Sequence, residues 1–159
     1  MSASTNDPLA VLRRQLLHRH FFTGWLLLLI FLTMGAFLES LHGFKLGFYL
    51  DPNARMRREL WTLAHAHGTL LALVQFAFAA GLAQYGRWTD GRLKLASFFL
   101  IDAAVLIPLG FFLGGLFPTE SDPWIGVYLV PVGAVLLFIA VTLILNSFWH
   151  PAKDIGKAK

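Results

Sequence analysis

Four apolar runs dominate the chain, at residues 21–41, 60–84, 93–117 and 124–149. A helix of about 20 apolar residues crosses the ~30 Å hydrocarbon core of a bilayer. In that solvent every backbone N–H and C=O has to be satisfied within the protein, so each run is expected to be helical. The connections at 85–91 and 118–123 are short and turn-rich, which makes the helices they join antiparallel neighbours. The predicted fold is therefore all-α: one integral membrane domain over residues 1–159, built as a four-helix up-down bundle. Residues 1–17 are polar and then weakly amphipathic, and read as a short interfacial helix lying on the membrane. The first run is longer than the ~7–15 apolar residues of a cleaved signal and ends in Glu39-Ser40-Leu41-His42, so it reads as a retained span.

Composition agrees with a membrane location. Hydrophobic residues make up 57% of the chain and charged residues 14%, against about 25% charged in soluble domains. Cysteine is absent, which excludes disulfides, thiolate metal sites and thiol catalysis. The net charge of +4 comes from lysines and arginines flanking apolar runs. That pattern sets topology and meets lipid head groups; it is no nucleic-acid signature. Nine cations fall on the side shared by the two termini and the 85–91 connection, and four on the other side. The positive-inside rule then puts both termini in the cytoplasm of a multi-pass cell-membrane protein. The four outer cations, Lys45, Arg55, Arg57 and Arg58, all belong to the 43–59 connection. They are expected to pair with Asp51, Glu59 or a ligand's carboxylates, or simply to be solvated.

Of the six histidines, His18, His20 and His150 fall near the cytoplasmic interface, where solvated side chains are the rule. His42, His65 and His67 fall toward the outer face. An ionisable residue inside a span marks a functional site by default. His65 and His67 lie roughly 8–10 Å into the second span and about 200° apart around it, so both cannot point into one mononuclear pocket. Glu39 and His42 share a face of the first span at i, i+3, an arrangement used in carboxylate metal sites of bundles. Gly24, Phe31, Gly35, Glu39 and His42 form a stripe expected to meet other helices. Ala64, Gly68, Leu71 and Gln75 form another. Gly35 and Gly68 are expected to leave room beside the histidines. The plainer alternative is that the histidines hydrogen-bond within the bundle and bind nothing.

Asp102 is the one acid deep in the third run, and Gln75 reaches a similar depth. A neutral Asp102 bonded to Gln75 avoids the cost of an unpaired buried charge; a proton path through the two is the sharper alternative. Asn146, Thr142 and Tyr128 are candidates for an inward face of the fourth span. Pro108 and Pro131 are expected inside spans, at carbonyls satisfied by neighbouring groups.

The segment Arg58-Glu59-Leu60-Trp61-Thr62-Leu63-Ala64-His65-Ala66-His67-Gly68 resembles haem-bearing helices of membrane proteins related to haem–copper oxidases and nitric oxide reductases, and segments of small bacterial membrane proteins. The resemblance covers about one helix of four. It implies an axial haem role for His65 or His67, with His42 as the second ligand on another helix. No histidine in the third or fourth span corresponds to the oxidase copper site, so oxygen reduction is not implied. The first reading is thus a protein that binds haem b, or else a copper, zinc or iron ion, through Glu39, His42, His65 and His67, with a redox or electron-transfer role. The second is a non-catalytic subunit or assembly partner of a larger membrane complex, in contact with other subunits or copies of itself. The third is a proton or ion transporter using Asp102 and Gln75.

Overall fold

The computed structural model describes residues 8–84, 88–119 and 122–149. Residues 1–7, the start of the 85–91 connection, Glu120, Ser121 and the tail from His150 lie outside the described residues. Four long helices account for the apolar runs: α1 (Pro8–Gly43), α3 (Arg55–Gln84), α4 (Asp90–Gly114) and α5 (Leu129–Phe148). A single turn, α2 (Gly47–Leu50), and a 3-10 turn, Pro52–Ala54, fill the first connection. Among the described residues there is no strand, and consecutive long helices run up and down. All four are long and apolar enough to cross a membrane. Their outward faces carry large apolar side chains, such as Leu29 and Phe138, 67% and 75% exposed. Such faces suit a lipid bilayer and are costly in water.

One expectation is corrected by the first helix. The interfacial segment placed before the first span is not separate: from Pro8 onward it is the start of α1, which runs unbroken for 36 residues. At 1.5 Å per residue that is about 54 Å, well beyond the hydrocarbon core. No glycine, proline or capping residue interrupts residues 9–22, so nothing stops the helix there. Pro131 lies inside the fourth candidate span, as expected, in the first turn of α5 behind the 3-10 turn Ile125–Tyr128. Its missing N–H costs nothing there, because first-turn N–H groups have no intrahelical partner. Pro108 does lie within α4, and it is buried.

Close approaches run α1 to α3, α3 to α4 and α4 to α5, with a slighter contact of α1 on α4. The order in space thus follows the order in sequence, with α1 and α5 at the two edges. Lipid tails are as apolar as leucine, so such helices associate through close packing and polar bonds rather than water exclusion. Glycines supply the close packing. The Phe31 ring of α1 occupies the space where a Gly68 side chain on α3 would stand. Across α4 and α5, a Cβ on Gly133 would meet Ile107 at 2.7 Å, and one on Gly110 would meet Val130 at 2.8 Å. The inward stripe of α5 is Gly133, Ala140 and Ser147. Tyr128, Thr142 and Asn146, expected on that inward face, are exposed.

The end of the bundle that holds α2 is tied by arginines. Arg57 donates to the Gly115 and Leu116 carbonyls that follow α4 and to the Phe48 carbonyl of α2. Arg58 donates to the carbonyls of Tyr49 and Asp51 at 2.7 and 2.8 Å. Arg55 pairs with Glu59 at 2.7 Å, as expected. The other two guanidinium groups thus serve backbone carbonyls rather than carboxylates, including orphan acceptors at a helix C-terminus. Asp51 accepts the Asn53 N–H at 2.8 Å, capping the 3-10 turn. Tyr49, Trp61 and Phe112 stack beneath this layer, and the Trp61 indole donates to the Phe112 carbonyl.

Gly68→Ala is expected to push Phe31 off α3 and destabilise the protein by about 1–3 kcal/mol, the usual cost of overpacking. Thermal unfolding in detergent checks this; an unchanged midpoint would show that the α1–α3 contact is slack.

Candidate functional site

His65 projects from α3 toward α1. Its Nδ1 lies 2.7 Å from the Phe31 carbonyl, and its ring lies where a Gly35 side chain would be, 2.5 Å from an ideal Cβ. A carbonyl only accepts, so Nδ1 carries the proton and the Nε2 lone pair is free. The seating of Phe31 over Gly68 is what brings that carbonyl to the histidine. The room expected beside Gly35 and Gly68 is therefore filled, by the rings of His65 and Phe31.

His42, at the end of α1, obeys the same rule. Its Nδ1 faces the Leu38 carbonyl at 3.2 Å, leaving Nε2 free. Its ring stands edge-on to Tyr49, with centroids 5.0 Å apart. Glu39, His42, Tyr49, Thr62 and His65 line one cleft between α1 and α3, of about 440 Å³. A second hollow, lined by His42, Arg58, Glu59, Thr62 and Leu63, adjoins it. Tyr49 is fully buried, with the Thr62 side chain beside its hydroxyl. Burial pushes its phenol above the usual tyrosine value. The phenol therefore stays a neutral O–H donor at the wall of the cleft.

His67 goes the other way. Its Nδ1 donates to its own helix at the Leu63 carbonyl, 2.9 Å away, and its ring lies against Phe111 of α4. The two histidines thus occupy opposite sides of α3, and His67 does not line the cleft with Glu39, His42 and His65. Among the described residues, no three of His, Asp and Glu gather closely enough to enclose a metal ion.

The polar centre that sequence reasoning missed lies at the opposite end. His20, expected to be a solvated interfacial residue, is completely buried. Its Nδ1 meets Gln75 Oε1 of α3 at 2.5 Å, and its Nε2 meets Ser97 Oγ of α4 at 2.8 Å. Gln75 Nε2 donates to the Leu100 carbonyl at 3.2 Å, which fixes the amide so that Oε1 faces the histidine. In the neutral ring Nδ1–H then donates to Gln75, and Nε2 accepts from the Ser97 hydroxyl. Every polar atom of this network is used. Phe78 closes one side, 4.5 Å from the imidazole between ring centroids. The expected bond between Gln75 and Asp102 is absent, because both ends of the amide are committed elsewhere. Asp102 is half-buried on α4 and takes no part.

One signal in the sequence pointed to His20. The stripe through Gly24 and Phe31, continued back by one turn, lands on it. Taking the first span to begin at residue 21 cut that stripe short.

No family model, curated protein or solved structure matches the chain.

Removing one member of the inner network leaves the others buried and unpaired. His20→Leu and Gln75→Leu are each expected to destabilise by about 1–3 kcal/mol. The double variant should cost less than their sum, by roughly 0.5–2 kcal/mol. A double-mutant cycle on unfolding in mild detergent measures this, and strict additivity would contradict the shared network.

Proposed function

We propose that this small protein, with its four candidate membrane-spanning helices, holds a cofactor in the α1–α3 cleft. Haem b is the first candidate and a copper, zinc or iron ion the next, with a redox or electron-transfer role. The observation that carries the reading is the state of the imidazoles. His42 and His65 line one cleft, and each commits Nδ1 to a backbone carbonyl. Neutral imidazole oriented through its second nitrogen in this way is the form that ligates iron and other transition metals. His20 has no lone pair to spare, because Ser97 uses it. His67 has a free Nε2 but lies across α3, so the ligand role in the cleft falls to His65, with His42 or Glu39 opposite.

The donor set suits such a group. With cysteine absent, imidazole is the natural ligand for haem iron. Arg58 stands in the adjoining hollow, a cation within reach of a cofactor's carboxylates. Bound there, haem would supply a one-electron couple. The protein would contribute the ligand, its orientation and a boundary between lipid and the loop layer. The resemblance of the His65–Gly68 segment to haem-bearing helices supports the same reading. With both termini cytoplasmic, as the cation asymmetry implies, the cleft faces the outer side of the cell membrane.

The test is an oxidised-minus-reduced absorption spectrum, with metal analysis, on protein purified from its own membrane. Soret and alpha bands are expected, lost in His65→Ala and retained in His67→Ala. Gly35→Ala, which displaces the His65 ring, should weaken or shift them. A stoichiometric metal without these bands would move the reading to an ion site. Colourless, metal-free, folded protein would overturn it.

A further inference from the structure

With Gln75 committed to His20, Asp102 is left alone. It stands midway along α4, about 18 Å from either end of the helix at 1.5 Å per residue. Half the hydrocarbon core is about 15 Å thick, so water and head groups lie out of reach, and an aspartate side chain is too short to snorkel to them. Among the described residues its carboxyl meets no hydrogen-bond or ion-pair partner. It is only half-buried, so it is open to a group from outside the chain. An acid turned toward lipid at that depth is costly, and such residues pair.

Asp102 is also the centre of a stripe. Leu95, Phe98, Asp102, Val105 and Leu109 recur at alternating steps of three and four residues along α4. The four apolar members are all exposed. The buried face of the helix, through Leu93, Leu100 and Ala104, is the opposite one, and it is there that α3 and α5 pack. Alternating steps of three and four are the spacing of a helix–helix seam, in which a single polar residue fixes register and partner at some cost in stability. Lipid alone calls for apolar residues on this face and has no use for an acid in the middle of it.

We infer that two copies of the protein meet through this face, α4 against α4, with the two Asp102 carboxyls paired at the centre of the seam. Copies inserted with the same topology are related by a two-fold axis along the membrane normal, and such a contact is isologous. Each residue on the seam then meets its own counterpart at its own height, Asp102 included. A carboxyl that holds its proton both donates and accepts, so the pair satisfies itself without any other group. The apolar residues are placed evenly about it, Phe98 and Val105 on either side and Leu95 and Leu109 beyond, and interlock at the shallow crossing angle usual for membrane helices. A different subunit would need a polar group of its own at the same depth. A lipid brings none, because its phosphate and ester groups stay at the interface. The contact uses neither the histidine cleft nor the His20 network.

The chain has no cysteine, so single substitutions give unambiguous cross-links. In membranes that contain the full chain, Leu95→Cys and Leu109→Cys should each give a disulfide-linked dimer on mild oxidation. Phe138→Cys, exposed on α5, should not. Energy transfer between copies labelled through Lys159→Cys, diluted through phosphatidylcholine vesicles, gives the association constant. Asp102→Leu should weaken association about tenfold, the scale of interhelical hydrogen bonds in membranes. Asp102→Asn, whose amide also donates and accepts, should keep most of it. Circular dichroism shows whether each variant has folded, and the cross-links test the contact with Asp102 intact. Absence of dimer from both seam cysteines would overturn the inference, as would wild-type protein that stays monomeric at every lipid ratio, or folded Asp102→Leu that associates as tightly as wild type. Photo-cross-linking from the Phe98 position to a different polypeptide in the native membrane would overturn it too.

Discussion

A polar side chain in hydrocarbon has to find a partner within the protein, and His20 finds two. Its ring takes Gln75 from α3 and Ser97 from α4, so one imidazole on α1 sets the relative height of three helices. Sliding any of them by a turn would strand three polar groups in a region without water, each at a cost of the same order as the whole α1–α3 glycine contact. Gln75 extends the tie by its second bond, to the Leu100 carbonyl. Helix α5 stands outside this network. It is held on α4 by the interlocking of Gly133 and Gly110 with Ile107 and Val130.

The same requirement works differently at the other end. There the histidines use backbone carbonyls: Leu38 for His42, Phe31 for His65, Leu63 for His67. A carbonyl takes one proton and leaves the second nitrogen bare. The two ends of the bundle therefore hold imidazoles in the same tautomer with opposite consequences. Near the N-terminal end the Nε2 lone pair is consumed by a serine hydroxyl and the residue holds helices together. Near α2 the lone pair remains for a ligand. Arginines 57 and 58 complete that end by binding loop carbonyls, which keeps Tyr49 and the cleft wall in place.

Much of the architecture was legible in the sequence, because spanning length and short connections leave few alternatives. The inward stripe Ala64, Gly68, Leu71, Gln75 was readable for the same reason, as small residues at helical spacing. The opposite orientations of His65 and His67 followed from the 100° turn per residue. What could not be read was which neighbour each polar group meets. Gln75 and Asp102 reach similar depths, but depth says nothing about rotation about the helix axis, and Gln75 faces His20. His20 itself was assigned to the interface because the apolar run begins after it, although the helix does not. Glycines were legible as close contacts, but not as contacts already filled by Phe31 and the His65 ring.

Which histidine nitrogen carries the proton is directly measurable. Protein labelled with nitrogen-15 at histidine, free of added cofactor and held in lipid nanodiscs, gives a two-dimensional ring-nitrogen correlation for each imidazole, assigned by single substitutions. His65 and His42 should show a protonated Nδ1 and a bare Nε2, and the Nε2 of His20 should carry the signature of a nitrogen accepting a hydrogen bond. A proton on Nε2 of His65, or a His20 ring exchanging freely with water, would contradict this assignment of the imidazoles.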